Sequence, residues 1–90
     1  MYSFDVREEL DKAFTKISKK NPKQFEIIYK KIAEVIKNPH HYKNLKSPLQ
    51  HFKRVHIDKS FVLVFSVDED KKNVIFEHYD HHDGVYKWKV

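Results

Sequence analysis

The 90-residue sequence has no cysteine, one glycine (Gly84) and three prolines (Pro22, Pro39 and Pro48). Without cysteine, disulfide scaffolds and thiolate-ligated metal centres are excluded. So little glycine and proline removes collagen-like and low-complexity linker readings. Long apolar runs are missing too: nothing approaches the ~18 residues of a membrane span, and the opening Met1 to Leu10 is already acidic and patterned, unlike a targeting segment. A soluble, cytoplasmic chain without membrane association is expected. A chain of 90 residues closes one hydrophobic core, so a single domain over 1–90 is expected.

What the sequence does have is charge, unevenly placed. Eighteen basic and thirteen acidic residues give a net charge of +5. Residues 16–54 hold eleven Lys/Arg against only Glu26 and Glu34, a local balance of +9, and the remainder carries −4. Such segregation fits a polyanion or an acidic protein partner, or simply lysines that solvate two helices. Seven histidines, at 40, 41, 51, 56, 78, 81 and 82, all fall from residue 40 onward. Histidine titrates near pH ~6.5 and can donate, accept or ligate metal, which makes the cluster a source of acid/base chemistry.

The hydrophobic periods set the element order. Tyr2, Phe4 and Val6 alternate with polar residues, the period of a half-buried strand. Leu10, Ala13, Phe14 and Ile17 recur at helical spacing, with Glu8, Glu9 and Asp11 at the start and Lys16, Lys19 and Lys20 at the end, as the helix dipole favours. Asn21-Pro22 signals a second helix start, and Phe25, Ile28, Tyr29, Ile32, Val35 and Ile36 form its stripe before Asn38-Pro39 ends it. A loop over 39–51 follows, then strands over 52–57, 60–67 and 74–79 joined at Asp58-Lys59 and by a charged turn over 68–73. The expected fold is therefore α+β: an N-terminal strand, a helical hairpin, then a three-stranded antiparallel meander. All four strands join one sheet, the helices cover one face, and the other face stays free as a concave site.

Arg54 and His56 lie two apart on a strand and so share a face. Arginine offers a donor fork matched to phosphate, and histidine can take a proton from a nucleophile or give one to a leaving oxygen. RNA carries its own nucleophile in the 2′-hydroxyl, so this pair suits RNA cleavage, the alternative being an ordinary solvent-facing strand. The run Asp80-His81-His82-Asp83 holds metal-ligand residue types, but neighbours along a strand point in opposite directions, so no metal is expected there.

The ordered set Asn38-Pro39, Asn44-Leu45-Lys46, Phe52 to Ile57, Ser60 to Phe65 and Asp80 to Tyr86 resembles the RelE/ParE superfamily of type II toxin-antitoxin toxins over residues 2–88. The second half is most similar to the YafQ-like and archaeal RelE branches. That resemblance implies a ribosome-dependent mRNA endoribonuclease that works in the ribosomal A site by 2′-hydroxyl attack, without metal or cofactor. It also implies contact with mRNA and ribosomal RNA, inhibition by a cognate antitoxin, and a monomer or weak dimer when free. Carried over by position, His56 and His82 would be the acid/base pair, Arg54 would stabilise charge, and Tyr86 would assist by stacking or proton transfer. Lys43, Lys46, Lys53, Phe61 and His81 would contact RNA. The sequence departs from the family pattern at Val62 and Asp80, where RelE proper has arginines, and at Ser60, where the YafQ-like branch has aspartate. A ParE-like gyrase inhibitor and a non-catalytic binding protein of the same fold are the competing readings.

Overall fold

The computed structural model describes residues 1–88. Its elements are β1 (Ser3–Val6), α1 (Glu8–Lys20), α2 (Pro22–Val35), a 3-10 turn (Pro39–His41), β2 (Lys53–Ile57), β3 (Phe61–Asp68), β4 (Asn73–His81) and α3 (His82–Val85). The four strands form one sheet in the order β1-β4-β3-β2, with β1 parallel to β4 and the other pairs antiparallel. The α+β order expected from the sequence is thus the observed one. Among the described residues no helix is long and apolar enough to cross a membrane.

The helix signals act where the sequence puts them. Asn21 Oδ1 accepts from the Gln24 N–H at 3.2 Å, and Pro22 opens α2 without wasting a donor. Leu10 and Phe14 of α1 and Ile28, Ile32 and Val35 of α2 are buried against Val55, Ile57, Leu63, Phe65, Val74 and Phe76 of the sheet. Each such side chain contributes about 1.5–3 kcal/mol on leaving water.

A bulge in β4 decides which side chains face away from the helices. Val64 pairs with His78 but Phe65 pairs with Phe76, so Glu77 has no partner across the ladder. One extra residue flips every side chain beyond it to the other face. Tyr79 consequently points into the helical core, where Gln24 Nε2 donates to its hydroxyl at 2.8 Å, and His78 and Asp80 turn to the face of Arg54 and His56. Glu77 itself is secured by Arg7 Nε at 2.7 Å and by the Ser66 hydroxyl at 2.6 Å.

The face away from the helices is not free, as the sequence had suggested, because it carries a second core. Val62 and Val64 of β3 are buried with Leu45 and Phe52 from the 43–52 segment and Val85 from α3, flanked by Leu49 and Trp88. The near-continuous apolar run of β3 needed a cover on both sides, and this segment together with α3 supplies it. Leu45 N–H bonds to Phe52 O at 2.8 Å and Arg54 N–H to Lys43 O at 3.0 Å, tying the segment along the outer edge of β2.

Candidate active site

Cross-strand pairing sets the site out in rows. Arg54, Val64 and His78 stand opposite one another, then His56, Val62 and Asp80, and then the His82 N–H bonds to Ser60 O at 2.9 Å. Facing residues of neighbouring strands share a face, so Arg54, His56, Asp80 and the start of α3 frame the small core of Val62 and Val64. Arg54 Nη1 lies 3.0 Å from His56 Nε2. On the far side, His82 Nδ1 lies 3.0 Å from Asp83 Oδ1. With β3 between them, the backbones of β2 and β4 are about 10 Å apart. Tyr86 caps α3 and is 64% exposed, the condition a stacking aromatic needs.

The strand end is anchored under this rim. Asp80 Oδ1 accepts from the His81 N–H at 2.7 Å, and Asp80 Oδ2 lies 3.4 Å from His78 Nε2. A Cβ on Gly84 would stand 2.3 Å from Asp80 Oδ2, so a side chain there would push the Asp80 carboxylate from its place. The His78 ring stacks on Trp88 at 5.0 Å and 4°, and Trp88 meets Phe52 edge-on at 5.0 Å. Asp80, at a position where the resemblance reserves an arginine, is thus a backbone anchor, and Val62, at the other, is core.

The remaining expected residues are distributed less simply. Lys43 lies beside Arg54 in a cleft of ≈ 380 Å³ that also takes in Lys31, His41, Tyr42, Val55 and His56. Lys53 Nζ donates to Tyr42 O at 3.1 Å and Asn44 Oδ1 at 3.0 Å, and so holds the loop. Lys46 sits outside the strands, in the turn that Leu49 N–H closes onto its carbonyl at 2.9 Å. Phe61 pairs with Ile57 and stacks on Tyr79 at 5.2 Å and 10°, which puts it on the helical face, with His81 edge-on at 5.9 Å. Phe61 and its ladder partner His81, both expected to contact RNA, therefore lie on the face opposite Arg54 and His56.

Lys31, His41 and Tyr42 escaped the sequence reading. Lys31 lies outside the apolar stripe of α2, and only the path of the loop shows that it faces the cleft. Burial, reinforced by Glu34 and opposed by Lys31, pushes the Tyr42 hydroxyl above its ordinary value, so it remains a neutral hydrogen-bonding group there.

The fold is a four-stranded sheet with one parallel edge, a helical hairpin on one side and a cationic rim around a second small core on the other. Over residues 1–86 the sequence matches the family described as the ParE toxin of the type II toxin-antitoxin system parDE, and the chain belongs to that RelE/ParE superfamily. A Methanocaldococcus jannaschii protein named as a candidate toxin, RelE4, is 57% identical over 89 residues, covering 99% of this chain and 95% of its own. An uncharacterized Methanosarcina mazei protein is 59% identical over 86 residues, covering 96% and 100%. The toxin fold of the intact E. coli RelBE complex superposes with a TM-score of 0.76 at 22% identity, covering 90% of this chain and 96% of that one. YafQ of E. coli superposes with a TM-score of 0.71 at 15% identity, covering 96% and 99%.

Proposed function

We propose that this toxin is a ribosome-dependent mRNA endoribonuclease that cuts by 2′-hydroxyl attack. The contact of Arg54 with His56 at 3.0 Å carries the reading. A guanidinium only donates, so in this contact Nε2 of His56 is the acceptor, the state of a general base. When a phosphate enters, the arginine fork moves onto its oxygens and leaves Nε2 to take the 2′-hydroxyl proton. The 2′ oxygen then bonds to phosphorus and the bond from phosphorus to the 5′ oxygen breaks. His82, oriented through Nδ1 by Asp83, delivers a proton to the departing oxygen. The products are a 2′,3′-cyclic phosphate and a 5′-hydroxyl. Tyr86 stacks on a base at the open end, and Lys43 and the exposed lysines hold the backbone.

The +9 segment over residues 16–54 supplies the long-range attraction to mRNA and ribosomal RNA in the A site. A cognate antitoxin holds the chain inactive in the cytoplasm, as the toxins RelE of E. coli and YoeB of Staphylococcus aureus are found with RelB and YefM. Incubation of the purified chain with ribosomes on a defined mRNA tests the chemistry. Fragments ending in a cyclic phosphate support it, and fragments ending in a 3′-hydroxyl contradict it. The family description names ParE, so gyrase inhibition is the second reading. It predicts loss of DNA supercoiling activity with intact mRNA.

A further inference from the structure

The end of β4 carries a constellation of which proton transfer uses only His82 and Asp83. Two neighbours along a strand diverge, but β4 stops at His81 and α3 begins at His82. The change of backbone turns the two imidazoles toward each other, with ring centres 4.4 Å apart and planes at 35°. Asp83 sets Oδ1 3.0 Å from His82 Nδ1 and Oδ2 3.7 Å from His81 Nδ1. One donor atom from each of the three residues lies within 4.8 Å of the others, an arrangement that no other His/Cys/Asp/Glu group among the described residues has.

Zinc holds imidazole nitrogen at about 2.0–2.1 Å and carboxylate oxygen at about 2.0–2.2 Å in a tetrahedron, so donors around one ion stand roughly 3.3–3.5 Å apart. The observed 3.0 and 3.7 Å bracket that spacing, and His81 Nδ1 would exchange the long bond that it accepts from the Asp83 N–H, at 3.4 Å, for the ion. The frame beneath is fixed independently: Asp80 Oδ1 holds the His81 N–H, Ser60 O holds the His82 N–H, and Val85 is buried in the second core. A held frame lowers the ordering cost of binding. Two imidazoles and one carboxylate select borderline transition metals over magnesium or calcium, which prefer oxygen.

We propose that His81, His82 and Asp83 bind one transition-metal cation of the zinc, nickel or cobalt class, and that the bound ion withdraws His82 from proton transfer. The second half rests on the ribonuclease reading, and the first does not. Metal would thus be an inhibitor of this toxin and no part of its chemistry. The fourth coordination position is left to water or to an RNA phosphate oxygen.

Calorimetry and cobalt absorption on the untagged full chain, without RNA, test the site. Zinc should bind one to one with a Kd of about 10 µM or tighter, unaffected by a roughly 100-fold excess of magnesium. Asp83→Ala should weaken binding by about tenfold or more. The double variant His81→Ala, His82→Ala should abolish it while circular dichroism stays native. Absent binding overturns the site. Full binding by the double variant overturns it equally, by placing the ion on His40, His41, His51 or His56. For the regulatory half, saturating zinc should lower ribosomal mRNA cleavage about tenfold or more, reversed by a zinc-selective chelator. Stoichiometric zinc with unchanged cleavage overturns the inhibition and leaves the site standing.

Discussion

Nη1 of Arg54 donates to Nε2 of His56 across 3.0 Å, two positions along one strand. The bond assigns the imidazole proton to Nδ1, because guanidinium has no lone pair to offer. His56→Ala should therefore lower the single-turnover cleavage rate by about 10²–10⁴, the range of a lost general base. Arg54→Ala should cost about 10²–10³, and Arg54→Lys should recover little, since an ammonium cannot fork two phosphate oxygens. Rates measured on ribosome-bound mRNA check all three.

Val62 stands where the resemblance reserves an arginine, yet it is 3% exposed and packed with Val64, Phe52 and Val85. Val62→Arg should not restore a family active site. It should bury an unpaired charge at a cost of about 3 kcal/mol or more. Thermal unfolding should then fall by about 12–24 °C.

Gly84→Ala usually stabilises a helix by up to about 1 kcal/mol. Here the new Cβ would meet Asp80 Oδ2 at 2.3 Å and Cγ at 2.6 Å, and that carboxylate is tied to the His81 N–H and to His78. Loss of its charged hydrogen bond should give a net destabilisation of about 1–3 kcal/mol by urea unfolding. In an Asp80→Ala background the same glycine change should become neutral or stabilising.

Glu69 pairs with Lys72 in its own turn and reaches two distant segments through His40 at 2.7 Å and the Tyr2 hydroxyl at 2.8 and 3.0 Å. Lys72 first, then His40 and Tyr2, hold its carboxyl at about 2, against an ordinary 4.5. A depressed carboxyl stabilises the fold in full above its unfolded value and loses that contribution as pH falls through its folded value. Glu69→Gln should lower the melting temperature at pH 7, modestly for so exposed a group. The gap to the native chain should narrow between pH 4.5 and 2 and close below that window.

The fold was legible because its signals are local. The Asn21-Pro22 start, the stripe from Phe25 to Ile36 and the apolar run of β3 each name an element without reference to the rest of the chain. Arg54 and His56 were legible for the same reason, since alternation along one strand suffices. Features that depend on a single register step or a loop path were not. The unpaired Glu77 reverses the faces of Tyr79 and Asp80, and Phe61 lies opposite the site because its partner Ile57 does. The convergence of His81 and His82 follows from a strand turning into a helix between them, which strand geometry alone forbids. Lys31 and Tyr42 reach the cleft only through the path of the loop.

Primer extension on a translated mRNA after induction of the toxin tests the ribonuclease chemistry in the cell. New 5′ ends should appear within codons of the message and be absent with the folded double variant His56→Ala, His82→Ala. Intact message in cells arrested by the native chain, or an unchanged cleavage pattern in the double variant, would contradict it.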